Sequence, residues 1–163
     1  MTAPTQTTPD PQARFAVEMS RARQNLPMAA IAGFATMAAC AVAWAAITAT
    51  TGYQIGFMAI GVGLAVGLVV RMVGRGVDTS FRILAAILAL AGCAIGNLLT
   101  ACVFFAAANE VGVERVLEVL DYTLAYELMR SMFSAMDVLF YAIAVWEAWR
   151  LAVDASRAVT PAT

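Results

Sequence analysis

The chain of 163 residues is 62% hydrophobic and 13% charged, with a mean hydropathy of +0.79 and a formal net charge of −1. A soluble domain carries about 45–50% apolar and roughly 25% charged residues, so water is excluded as the solvent for this much side chain and a bilayer is expected. The balanced charge excludes nucleic acid as a partner, because that requires a concentrated basic face.

The chain has no His, and all ten basic residues are Arg. These absences remove imidazole ligation of a metal or haem, the Ser-His and Cys-His pairs, and Schiff-base chemistry on Lys. Cys40, Cys93 and Cys102 fall within apolar runs at no metal-binding spacing, so they are expected to be small packing residues. Neither a metal nor a cofactor is expected.

Residues 1–25 are rich in Thr, Pro, Gln and Arg, and the first dozen read as disordered. Gln12 to Arg23 suits a short amphipathic helix, with Phe15 and Met19 four apart and Arg14, Arg21 and Arg23 around them. Arginines before an apolar run also open signal peptides. The run Pro27 to Ala49, however, exceeds the about 7–15 residues of such a segment and fits the about 20 of a spanning helix. Ala29, Gly33, Thr36 and Cys40 give it a small-residue face for close packing. Thr48, Thr50, Thr51 and Gly52 read as a tight connection, with Tyr53 at the interface.

A second helix is expected over about 54–73, with Gly63 and Gly67 as a small-x-x-x-small pair. Gly74 and Gly76 are expected to loosen the following turn. The third helix, about 81–107, repeats the pattern at Gly92 and Gly96 and carries Asn97 and Thr100.

The polar connection from Asn109 to Arg130 has Val113, Leu117, Leu120, Leu124 and Leu128 on one face, and Glu110, Glu114, Glu118 and Asp121 on another. It reads as one amphipathic helix, about 110–128, lying on the membrane surface with a solvated acidic face. The fourth spanning helix, about 131–153, ends at Trp146, Trp149 and Arg150, as aromatic and basic anchoring requires. Residues 154–163 form a short polar tail.

The fold expected is therefore an all-α membrane protein with four transmembrane helices over residues 26–153 and a surface helix between the third and fourth. Arg14, Arg21 and Arg23, then Arg71, Arg75 and Arg82, then Arg150 and Arg157, share one face of such a bundle. Only Arg115 and Arg130 oppose them. Basic residues mark the cytoplasmic side, so both termini are expected inside and the acidic segment outside.

A charge in hydrocarbon costs about 2.5–3.5 kcal/mol on insertion scales, so Arg71, Asp137 and Glu147 are the residues to explain. Counting along antiparallel helices sets Asp137, two turns into the fourth helix, level with Asn97. The pair is expected to fix helix packing, with a proton- or cation-binding carboxylate as the functional alternative. Arg71, Glu147 and Arg150 are expected to form ion pairs at the inner rim. Asp137 and Glu147 stand ten positions apart on one helix, roughly 15 Å, too far for a catalytic dyad.

The segments Thr51-Gly-Tyr-Gln-Ile-Gly56, Ala59-Ile-Gly-Val-Gly63, Val66-Gly67, Arg71 and Gly74 to Gly76, the helix Phe81 to Leu98, and Asp137-Val-Leu-Phe-Tyr-Ala-Ile-Ala-Val-Trp-Glu147-Ala-Trp-Arg150 carry a resemblance. They resemble a widespread group of uncharacterised bacterial four-span membrane proteins, over more than a third of the chain. The resemblance implies a multi-pass protein of the bacterial cytoplasmic membrane and brings no activity or site residue with it. Some proteins of the group carry a soluble metal-binding module ahead of the helices, where this chain has only a short tail without ligands. The expected function is a non-enzymatic scaffold or accessory subunit. Its partners are the lipid bilayer and another membrane protein or a second copy of itself. An oligomeric channel or transporter using Asp137 and Asn97 is the alternative.

Overall fold

The computed structural model describes residues 11–53 and 56–153, and every regular element among them is helical. The chain runs α1 (Pro11–Ala22), α2 (Leu26–Thr51), α3 (Met58–Gly74), α4 (Thr79–Ala108), α5 (Val113–Glu118), α6 (Tyr122–Met132) and α7 (Ala135–Leu151). Of the first dozen residues, expected to be disordered, Pro11 and Gln12 instead open α1; residues 1–10, the expected helix start at 54–55 and the tail 154–163 lie outside the described residues.

Local chemistry sets the ends of α2. The Asn25 side chain accepts from the Met28 amide at 3.0 Å, and Pro27 sits in the first turn, where its missing N–H costs nothing. Thr50 and Thr51 continue the helix instead of forming the expected connection, and their hydroxyls bond back to carbonyls one turn earlier. Gly52 ends it in the left-handed conformation (φ 70°), its amide donating to the Thr48 carbonyl at 2.8 Å.

Helices α2 and α4, of 26 and 30 residues, are each long and apolar enough to cross a membrane. The helix α3 is apolar but has 17 residues, and α6 with α7 would make a third crossing only as one span bent by 100°. The described chain thus contains two such helices, or three with the bent pair.

Glycines reveal how the helices lie. From Gly33 against Leu88, through Gly92 against Met37, to Gly96 against Trp44, α2 and α4 run in the same direction. From Gly56 against Phe140, through Gly63 against Ala144, to Gly67 against Ala148, α3 and α7 also run together, opposite to α2 and α4. Helices α3 and α4 form the centre, while α2 and α7 flank them without touching one another.

The closest approach is between α3 and α7. A Cβ on Gly63 would collide with the Ala144 backbone, and one on Gly67 would stand 2.9 Å from the Ala148 Cα. Gly92 accommodates Val62 and Met37, and Gly96 lies under the Trp44 ring. The buried stripe of α2 runs Ala29, Gly33, Met37, Ala41, Trp44 and Thr48, so Thr36 and Cys40, expected on it, are only half-buried.

Gly74 and Gly76 tighten the α3–α4 turn instead of loosening it. Both are buried beneath Phe81, which folds back onto the space their missing side chains leave. Gln24 bolts the start of α2 to this turn, donating to Asp78 Oδ2 at 2.8 Å and accepting from the Val77 amide at 3.1 Å. Arg21 pairs with the same Asp78 at 3.3 Å.

The single surface helix expected over 110–128 is instead α5 and α6. The break has a local cause: Asp121 turns extended and its carboxylate accepts from the Leu124 amide at 2.7 Å, starting a new helix. Val116, not Leu117, is then buried against α4 with Leu128, Ala101 and Cys102. The fourth long helix likewise starts at Ala135, not at 131, because Ser131 and Met132 end α6.

Gly61 has nothing within 4 Å of a built Cβ, whereas Gly63 meets backbone. Gly61→Ala should therefore leave thermal unfolding in mild detergent unchanged or slightly raised. Gly63→Leu should lower stability by about 1–3 kcal/mol or more, the usual cost of overpacking. Equal behaviour of the two would contradict the α3–α7 contact.

Candidate functional site

Among the described residues, the buried polar side chains are Thr48, Asn97, Thr100 and Asp137. All four belong to the half of the bundle that faces α5 and α6.

Asp137 sits in the first turn of α7, not two turns inside the helix. It forms a reciprocal cap: its carboxylate accepts from the Ser134 amide at 2.8 Å and from the Ser134 hydroxyl at 3.0 Å. A carboxylate at a helix N-terminus is also favoured by the helix dipole, typically by about 0.3–1 kcal/mol. The residue that carries α7's polarity across to α4 is Tyr141, one turn further on. Its hydroxyl donates to the Cys93 carbonyl at 3.0 Å and is hydrogen-bonded by the Asn97 side chain. The Tyr141 ring is in turn held edge-on by Phe133, centroids 5.8 Å apart. The hydrogen bonds of the Asp137 carboxylate thus go to Ser134, and the bond from α7 to α4 is made by Tyr141. Tyr141 was legible as the i+4 neighbour of Asp137 on one helical face, but aromatic character alone points equally well to core.

The other face of α4 meets α2 at the same level. The Trp44 ring lies on Gly96, its Cε3 2.7 Å from a built Cβ. The same parallel register sets Thr48, one turn beyond Trp44, level with Thr100, one turn beyond Gly96. Trp44 Nε1 and the hydroxyls of Thr48 and Thr100 are buried and have no hydrogen-bond partner among the described residues.

At the opposite end, Arg150 donates to Glu147 at 2.9 Å across one helical turn, and its guanidinium lies 4.8 Å from the Trp146 ring centroid. Arg82 stands 6.0 Å over Trp149. Arg71 is half-buried and joins no ion pair within 4.0 Å among the described residues. Of the rim of three that was expected, the described ion pair is Glu147 with Arg150.

The acidic face is also divided. Glu110 and Glu114 are exposed, Glu118 pairs with Arg115 at 3.1 Å, and Asp121 is taken by the α6 cap. On α6, Tyr122 and Tyr126 are 86% and 57% exposed, and Glu127 is exposed with them. No cluster of His, Cys, Asp or Glu among the described residues is arranged to hold a metal ion.

No protein-family model, curated protein or solved structure matches the chain.

Tyr141→Phe removes one inter-helix hydrogen bond while keeping the ring. It should cost roughly 0.5–1.5 kcal/mol of stability in detergent, the range for such bonds in membrane bundles. Ser134→Ala should cost about 1 kcal/mol through the lost cap. A Tyr141→Phe chain as stable as the native one would show that the bond does not hold α7 to α4.

Proposed function

We propose that the protein is a four-span, non-enzymatic membrane scaffold or accessory subunit with both termini in the cytoplasm. On this reading it belongs to the bacterial four-span group it resembles and works in the cytoplasmic membrane. The short helices α3 and α7 support the four-span count. Each has 17 residues, roughly 26 Å of helix, close to the about 30 Å of hydrocarbon. Arg21 and Arg23 before α2, Arg75 and Arg82 around the α3–α4 turn, and Arg150 at the end of α7 mark the inner face.

One observation carries the functional part. The end of the bundle that this orientation sets outside is a shelf, α5 and α6 packed on α4, on which Glu110, Glu114, Glu127, Tyr122 and Tyr126 are all exposed. Carboxylates and exposed tyrosines together form a surface suited to a basic, aromatic-tolerant protein partner. Purification in mild detergent with mass determination tests this. The expected result is a co-purifying membrane protein, lost from a Glu110→Lys/Glu114→Lys chain that remains folded. Recovery of the chain by itself would contradict the scaffold reading.

The buried, unpartnered polar groups of α2 and α4 favour a second reading, an oligomeric channel or transporter in which Asp137 and Asn97 lie on the path. Asp137→Asn in proteoliposomes should then abolish a measurable ion or solute flux. Unchanged flux removes that reading.

A further inference from the structure

Threonines in membrane helices ordinarily bond back to the carbonyl three or four residues earlier. This chain follows the rule at Thr36, Thr50 and Thr51, whose hydroxyls reach such carbonyls at 2.8–3.1 Å. Thr48 and Thr100 break it. Both are at most 1% exposed, and neither hydroxyl has a partner among the described residues. Trp44 Nε1, equally buried and one turn from Thr48, is unpartnered too. An indole N–H is donor only, so whatever satisfies it must accept a hydrogen bond, and the two hydroxyls cannot be left dry without cost. Thr48 and Thr100 stand level across the α2–α4 seam and Trp44 is one turn from Thr48, so the three unpartnered groups fall within one turn of one seam.

We propose that the α2–α4 seam holds a buried hydration site, in which water accepts from Trp44 Nε1–H and bonds the hydroxyls of Thr48 and Thr100. The three groups match what an internal water needs, about three hydrogen bonds from buried polar partners. The ligand is neutral water because no charged side chain is among these groups. Beside the site, Asn97 and Tyr141 continue the polar layer towards Asp137 and the α5–α6 end.

The same seam is closed on the other side. Gly92 is packed by Val62 and Met37 at 2.8 and 2.9 Å from a built Cβ, and beyond them Val66, Val70, Ala85 and Ala89 are buried without a polar partner. The polar groups of the seam thus lie on the α5–α6 side of Met37.

Indole ¹⁵N-labelled protein in nanodiscs tests the proposal, with the Trp44 signal assigned by its disappearance in Trp44→Phe. The Trp44 Nε1–H resonance should show a cross-peak to water. That peak should be lost in Thr48→Val/Thr100→Val and kept in Thr48→Ser/Thr100→Ser, which preserves the hydroxyls. If the double valine chain does not fold, Thr48→Val alone should weaken the peak. A native chain without the cross-peak overturns the proposal. So does a peak unchanged in a folded valine variant, which would mean general exposure of the indole. Neither result depends on a protein partner, so it is separable from the scaffold reading.

Discussion

In hydrocarbon, apolar side chains gain nothing by meeting each other instead of lipid, so helices associate where their backbones come close enough for dense packing. Gly63 and Gly67 on α3, seated on the Ala144 and Ala148 backbone of α7, supply that approach. The position of α7 depends on this contact together with the α4 one, because α7 has no contact with α2 and reaches the rest of the bundle only through α3 and α4. The glycine contact stands beside the Tyr141–Cys93 bond, which ties the same helix to α4. The Gly92–Gly96 face of α4 does the same for α2, receiving Met37 and Trp44.

The bundle is chemically unequal along its length. Towards the α3–α4 turn its interior is Ala, Val, Met and Phe, held at the rim by Gln24, Asp78 and Arg21. Towards α5 and α6 it contains the buried polar side chains, with hydroxyl, amide, indole and carboxylate groups on three helices. That asymmetry suits a protein whose interactions occur at one face. A dry half insulates and a polar half adjoins the exposed acidic shelf.

Much of the fold was legible because its signals are local and strong. Asn25, Pro27 and Gly52 delimit α2, and apolar length alone marks α2 and α4. The spacing of Gly63 and Gly67 also pointed to close packing. The failures came where one polar side chain redirects the backbone. Asp121 and Ser134 each start a helix by capping, so a smooth apolar period across 113–128 concealed a break, and Asp137 moved from the membrane interior to a helix end. The sequence does contain the Ser134-x-x-Asp137 capping spacing. What it could not reveal is lateral neighbourhood: that Tyr141 meets Asn97, or that Thr48 lies level with Thr100, depends on the parallel register of α2 and α4 and on the antiparallel meeting of α7 with α4.

The number of crossings decides between a shelf outside and a tail outside. Reporter tags at the two ends and at Glu114, read in intact cells, measure it directly. Four crossings predict both ends in the cytoplasm and Glu114 outside. Three crossings, with α6 and α7 acting as one bent span and α3 buried short of the far surface, would put the ends in opposite compartments and contradict the account.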